Sequence, residues 1–295
     1  MQRRLDALIE ERAPWLWSPG VLPALAKPVL DRMLSYQRTL RLAETLKDQP
    51  GDRILPALAR MIARRVRVSG FDRIPTSGPA LIVANHPTGI ADGLVLTRVL
   101  MRRRSDSFIY ANADVLRVLP QLAEVIIPVE WRHERRSHAK TRATMALTKA
   151  AVDAGRLGVI FPSGRLAKRR GLRLHERPWM ASAAMLARKF DLPVIPVHVD
   201  ARNSALFYAF DAIHPQLRDI TLFHETLNKA RQPFDVRIGH PIPASALPAQ
   251  SGDAIAALRA ATLALGEFRD QGQPLLSPVS AGARGLMSWT KVWHG

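Results

Sequence analysis

The stretch Ala80-Leu81-Ile82-Val83-Ala84-Asn85-His86-Pro87-Thr88-Gly89-Ile90-Ala91-Asp92-Gly93 decides the fold class. Five consecutive apolar residues without polar alternation read as a strand buried on both faces. Pro87 and Gly89 break the run, and 93–102 then reads as a helix. Strand, tight turn and helix in that order are half of a strand–helix–strand unit. A histidine therefore leaves the strand end, with a carboxylate six residues later. Open parallel sheets take their ligands at the carboxyl ends of their strands. The His86–Asp92 pair thus suggests a general base with an orienting acid. Taken alone, His86 is as readily a structural histidine closing the strand end.

The alternation continues outward. Short β-rich apolar runs fall at 66–68, 80–84, 107–110, 124–129, 158–161, 193–199 and 235–238. Helical stretches fall at 93–102, 137–154, 178–190 and 253–269. Over 66–272 this predicts an α/β fold with a mostly parallel central sheet flanked by helices. Residues 1–65 read as proline-punctuated helices. Among them Ile54, Leu55, Leu58, Met61 and Ile62 recur at helical spacing between Arg53, Arg60, Arg64, Arg65 and Arg67, a basic amphipathic helix. Such a helix packs on the core with a solvated basic face, or lies on an anionic bilayer with Trp15 and Trp17 at the interface. Segment 1–65 is therefore expected to dock on a membrane surface. The tail, 273–295, is rich in Gly, Pro and Ser and is either loose or docked on a surface.

Composition narrows the function classes. A hydrophobic fraction of 47% fits a folded chain, and a net charge of +18 favours anionic partners: nucleic acid, anionic lipid surfaces or phosphate-bearing substrates. No cysteine is present, which excludes disulfides, a Cys nucleophile and thiolate zinc sites. The first twelve residues are charged throughout and carry no secretory apolar core. The uncharged segment 74–91 is interrupted by Pro75, Pro79 and Pro87, so it does not read as a spanning helix. Membrane contact is expected to be peripheral and on the cytoplasmic face.

Three further blocks carry chemistry. Val159-Ile160-Phe161-Pro162-Ser163-Gly164-Arg165 is a second apolar strand ending in a Pro/Gly turn, followed by Lys168, Arg169, Arg170 and Arg173. Cations at a strand's carboxyl end suit an anionic head group, although a basic run is equally a solvated loop. Ile126-Ile127-Pro128-Val129 precedes Arg132, His133, Arg135 and Arg136. Val194-Ile195-Pro196-Val197-His198-Val199 is a buried strand holding a proline.

Together these blocks, in this order over about 65–245, resemble the glycerophospholipid acyltransferase superfamily, which contains the lysophosphatidic acid acyltransferases. Its first motif is Asn-His, four residues, then Asp. Its third is Phe-Pro-Glu-Gly-Thr-Arg, and its last is an apolar strand with Pro. Here five residues separate His86 from Asp92, Ser163 stands in place of Glu, and Arg165 in place of Thr. The longer spacing and the run Arg202-Asn203-Ser204-Ala205-Leu206-Phe207-Tyr208 look like the hemolysin-like or lyso-ornithine lipid acyltransferase branch.

The resemblance implies a glycerol-3-phosphate acyltransferase-like fold and a membrane-peripheral acyltransferase without metal or cofactor. His86 would remove the proton from a lysolipid hydroxyl, lysophosphatidic acid or lyso-ornithine lipid, which attacks an acyl-CoA or acyl carrier protein thioester. Asp92 would orient His86. Asn85, Arg132, Ser163, Gly164, Arg165, Lys168 and Arg169 would bind substrate. An acyltransferase-like lipid binder without turnover, and a basic nucleic-acid binder, are the competing readings. Aromatic content of 6% and the absence of zinc-finger spacing count against the latter.

Overall fold

The computed structural model describes residues 1–130, 137–268, 271–276 and 291–293. Strand β1 spans Arg65–Ser69, β2 Ala80–Ala84, β3 Phe108–Asn112, β4 Ile126–Val129 and β5 Leu157–Ile160. The hairpin strands β6 (Lys168–Arg170) and β7 (Arg173–His175) follow, then β8 (Val194–Asp200) and β9 (Pro233–Ile238). Two short strands close the chain: β10 (Gln273–Pro274) and β11 (Lys291–Trp293). The main sheet runs β11-β1-β9-β8-β2-β5-β3-β4. From β8 to β4 every neighbouring pair is parallel, and β9 is antiparallel to β8. The α/β class and the mostly parallel sheet are as the alternation predicts.

Strand β2 shows why its sequence does not alternate. Ala80, Ile82 and Ala84 enter one core and Leu81 and Val83 the other. The first core is completed by Val95, Leu96, Val99 and Leu100 of helix α5 (Ile90–Leu100). The second is completed by Ala183, Ala184 and Ala187 of one helix (Ser182–Lys189) and by Ala254, Ile255 and Leu258 of another (Ser251–Ala264). Covering both faces removes the solvent-facing row that would otherwise be polar.

Four helices precede the sheet: α1 (Gln2–Arg12), α2 (Val21–Met33), α3 (Tyr36–Leu46) and α4 (Gly51–Ile62). Helix α4 is the basic amphipathic helix of the sequence, and it packs inward. Ile54 and Ile62 are buried while Arg53, Arg60, Arg64 and Arg65 face solvent. Leu5, Leu8, Ala43, Leu46 and Ile54 share a core with Val118, Leu119, Leu122 and Ile126. The apolar face left open belongs to α2 instead: Val21, Leu22, Leu25 and Val29 are between 56% and 76% exposed. No described helix is long and apolar enough to cross a membrane.

Two features escape the pattern read from the sequence. The basic run after Arg165 is not a bare loop: β6 and β7 pair antiparallel, and β10 adds to β7. Helices α6 (Asp114–Val118), α7 (His138–Asp153) and α8 (Ser182–Lys189) follow α5, and helices α9 (Ala205–Ile213), α10 (Pro215–Ile220) and α11 (Leu222–Asn228) fill 205–228, between the runs read as strands at 193–199 and 235–238. Of the tail, β11 pairs antiparallel with β1.

Candidate active site

Strand register brings the motifs together. β2 lies between β5 and β8, all parallel, with Val83 opposite Ile160 and Ala84 opposite Val197. The residues that follow β2 and β5 therefore emerge side by side at one sheet edge. The His86 ring stacks on Phe161, centroids 4.4 Å apart and planes 25° apart.

Asp92 reaches His86 because α5 starts at Ile90. This places Asp92 at the third helical position, where a carboxylate turns back to cap the amides of the preceding turn. Asp92 Oδ2 accepts the N–H of Thr88 and of Gly89, each at 2.9 Å, and Oδ1 accepts the Thr88 hydroxyl at 2.5 Å. His86 Nδ1 lies 2.9 Å from Oδ2 without the alignment of a hydrogen bond, so the carboxylate acts on the ring chiefly when the ring carries a proton's charge. Gly89 permits the turn: its φ is +98°, and a Cβ there would sit 2.9 Å from Leu166 Cδ2. The fifth residue between His86 and Asp92 is absorbed in this turn and does not part the two side chains. The Asp92 side chain is fully buried, whereas that of His86 keeps 18% exposure. Since Nδ1 is buried, the open edge of the ring is that of Nε2.

His86 opens onto a groove of about 2120 Å³. One set of its lining side chains is apolar: Leu8, Leu46, Leu55, Leu58, Val118 and Leu119. Another is cationic: Arg165, Lys168, Arg169, Arg177 and Arg218. Burial pushes the Arg177 guanidinium pKa down, and the nearby charges of Arg165 and Arg218 push it the same way. Crowded cations of this kind attract an anionic group that relieves them. Asp211 offsets part of the charge, with an oxygen 3.2 Å from Arg218 and another 3.9 Å from Arg169.

The structure divides the residues read from the sequence. His86, Gly164, Arg165, Lys168 and Arg169 line the groove. Asp92 stands behind His86. Asn85 does not line the groove: Nδ2 donates to Val199 O at 2.9 Å and Oδ1 accepts from Val199 N–H at 2.7 Å. Its amide ties β2 to β8 because both polar atoms meet the neighbouring strand. Ser163 is also buried, and its hydroxyl donates to Arg165 O at 2.9 Å, shaping the turn from behind the wall. Arg132 lies outside the described residues.

Sequence reasoning missed Arg177, Arg218, Glu176 and Trp179. Arg218 arrives on α10, remote in sequence from every motif. Glu176 Oε2 accepts the His86 backbone N–H at 3.1 Å, and Oε1 accepts Trp179 Nε1–H at 2.9 Å. A buried acid and tryptophan three residues apart, just after a basic hairpin, was the available signal.

Residues 65–200 match the family model described as Acyltransferase. The chain is 26% identical over 203 residues to a lyso-glycine lipid O-acyltransferase of Phocaeicola vulgatus, covering 67% of this chain and 71% of that one. It is 24% identical over 245 residues to a lyso-glycine lipid O-acyltransferase of Bacteroides thetaiotaomicron, covering 81% and 88% respectively. Among solved structures it is similar to the 1-acyl-sn-glycerophosphate (LPA) acyltransferase PlsC from Thermotoga maritima, with a TM-score of 0.49 and 12% identity over 91% of this chain and 98% of that one. These matches support the likeness to the glycerophospholipid acyltransferase superfamily and an acyltransferase enzyme, as the paired motifs imply.

Proposed function

We propose that this acyltransferase moves a fatty acyl group from an acyl-CoA or acyl carrier protein thioester to the hydroxyl of an anionic lysolipid at a membrane surface. The observation that carries the reading is the contact of His86 with Asp92, 2.9 Å apart, on a groove lined by both an apolar and a cationic set of side chains. The apolar set suits an acyl chain, and the cationic set a carboxylate or phosphate head group.

In this reading His86 Nε2 takes the proton of the acceptor hydroxyl as its oxygen attacks the thioester carbonyl. The tetrahedral intermediate collapses with cleavage of the C–S bond. The departing thiolate takes the proton back from the imidazolium, leaving an ester and a free thiol. Asp92 holds the ring and stabilises its cation. Arg165, Lys168 and Arg169, with Arg177 and Arg218, hold the acceptor head group or the donor's phosphates. The acceptor named for the two relatives above supports a lyso-amino-acid lipid, ahead of lysophosphatidic acid. It keeps lyso-ornithine lipid as a candidate.

Peripheral docking on the cytoplasmic leaflet is assigned to α2, whose Val21, Leu22, Leu25, Val29 and Met33 recur along an exposed face. Each Lys or Arg near an anionic leaflet adds about 1 kcal/mol to such docking.

The test is thiol release from palmitoyl-CoA on addition of lyso-glycine lipid, with the diacyl product identified by mass spectrometry. His86→Ala is expected to abolish both while leaving thermal unfolding unchanged. Turnover retained by the folded variant would overturn the mechanism. Loss of a diacyl species with gain of its lyso form, in a host lacking the protein, names the acceptor.

A further inference from the structure

Glu176 is a carboxylate enclosed at the heart of the site, with no role in the mechanism above. The residue keeps partial exposure, but its carboxyl group is enclosed, and burial pushes its pKa up. Enclosing a charge is unfavourable unless hydrogen bonds compensate it, and an apolar side chain serves a purely structural core as well or better. The contacts of Glu176 are specific. One oxygen accepts the His86 backbone N–H at 3.1 Å, and the other accepts the Trp179 indole N–H at 2.9 Å. The His86 charge favours the ionised form of this carboxyl. An N–H donor on each oxygen favours the ionised carboxyl and offsets part of the cost of burying it.

The main chain around it is tied down as well. The Glu176 carbonyl accepts Arg259 Nη2 at 3.2 Å, and the His86 carbonyl accepts the Ala167 N–H at 2.9 Å. Met180 N–H donates to Pro162 O at 3.0 Å. The β6–β7 hairpin thus carries the chain away from Arg165 and returns it with an acid aimed at the His86 turn.

We propose that Glu176 is a positioning residue for the acyl-transfer site: its carboxylate clamps the His86 main chain to the 176–180 segment, which the Met180 N–H in turn anchors to Pro162 of the 161–165 turn. This rests on His86 being the base. With Asp92 holding the ring, Phe161 its face and Glu176 its backbone, the imidazole keeps one orientation through turnover. Preorganisation of this kind acts on the chemical step rather than on substrate affinity.

Glu176→Gln keeps the size but removes the charge and one acceptor, so the bond to the His86 N–H is lost or reduced to that of a neutral amide. With palmitoyl-CoA and lyso-glycine lipid, kcat should fall roughly 10–100-fold, the loss expected for a buried hydrogen bond to a charged group. KM should stay within about threefold, since Glu176 does not line the groove. Amide hydrogen exchange reads the clamp without turnover. In Glu176→Gln the His86 amide should exchange about tenfold faster while the β2 amides keep their protection.

Wild-type kcat together with wild-type exchange at His86 in Glu176→Gln would overturn the proposal. So would faster exchange spread equally along β2, which marks a residue that only stabilises the fold. If wild type fails to turn over this substrate pair while His86→Ala behaves identically, the proposed substrates fail. The exchange at His86 still decides the clamp.

Discussion

Asp92→Asn separates the charge of the orienting carboxylate from its structural work. With its carbonyl at the place of Oδ2, an asparagine still accepts the Thr88 and Gly89 amides, both now at 2.9 Å. Its amino group then meets the Thr88 hydroxyl, which turns a lone pair toward it. The turn and the start of α5 are kept, and stability should fall by only about 1–2 kcal/mol from the lost helix-terminus charge and the weaker bonds. The imidazolium loses its counter-charge at 2.9 Å. At an effective dielectric constant near 20 that attraction is about 6 kcal/mol. The three donors already on the carboxylate share its charge, so the catalytic loss should be smaller, about 3–5 kcal/mol, or roughly 10²–10⁴ in kcat. KM should hold, because Asp92 lies behind His86 and does not line the groove. The assay is thiol release followed with a chromogenic disulfide, to which a chain without cysteine contributes no background. A folded Asp92→Asn protein with kcat within about threefold of wild type would refute the assignment of Asp92 as the partner of a general base.

Desolvation, helped by Arg237, pushes the half-buried His198 of β8 down to about 4 from its ordinary 6.5. Between these values the unfolded chain binds a proton that the folded chain does not, so stability falls as pH drops through the window, by about 3 kcal/mol in all. Urea titrations at several pH values should show that slope in wild type and lose it in His198→Gln; equal slopes would rule the residue out. Leu22→Ser with Leu25→Ser should cut partition onto anionic vesicles at least about tenfold with unfolding temperature unchanged, since both side chains face solvent. Undiminished vesicle binding would move the docking surface elsewhere. In Gly51→Ala the new Cβ would stand 2.0 Å from the Gln121 carbonyl oxygen, where α4 meets the turn before β4. A loss of about 2–3 kcal/mol is expected on denaturant unfolding, and a neutral result would mean that this contact is looser than the structure has it.

The sequence alone determined the elements whose physics is local. β2 and β5 are unbroken apolar runs because both their faces are covered, and the runs end where Pro and Gly forbid continuation; β8 departs from this only at His198 and Asp200. The His86–Asp92 spacing and the Phe161–Arg165 block were legible for the same reason: turn chemistry and residue type sit in a few consecutive positions. Only the tertiary structure decided what depends on neighbours remote in sequence. Periodicity made α4 amphipathic but could not say that its apolar face meets Val118 and Leu122, nor that proline-interrupted α2 would keep the exposed one. Asn85 looks like a ligand contact until β8 arrives beside it and takes both polar atoms. Arg218, and Glu176 at the back of the His86 turn, have no motif to mark them. They are functional candidates only because a helix and a hairpin return there, and sequence spacing carries no record of which chain ends a sheet brings together.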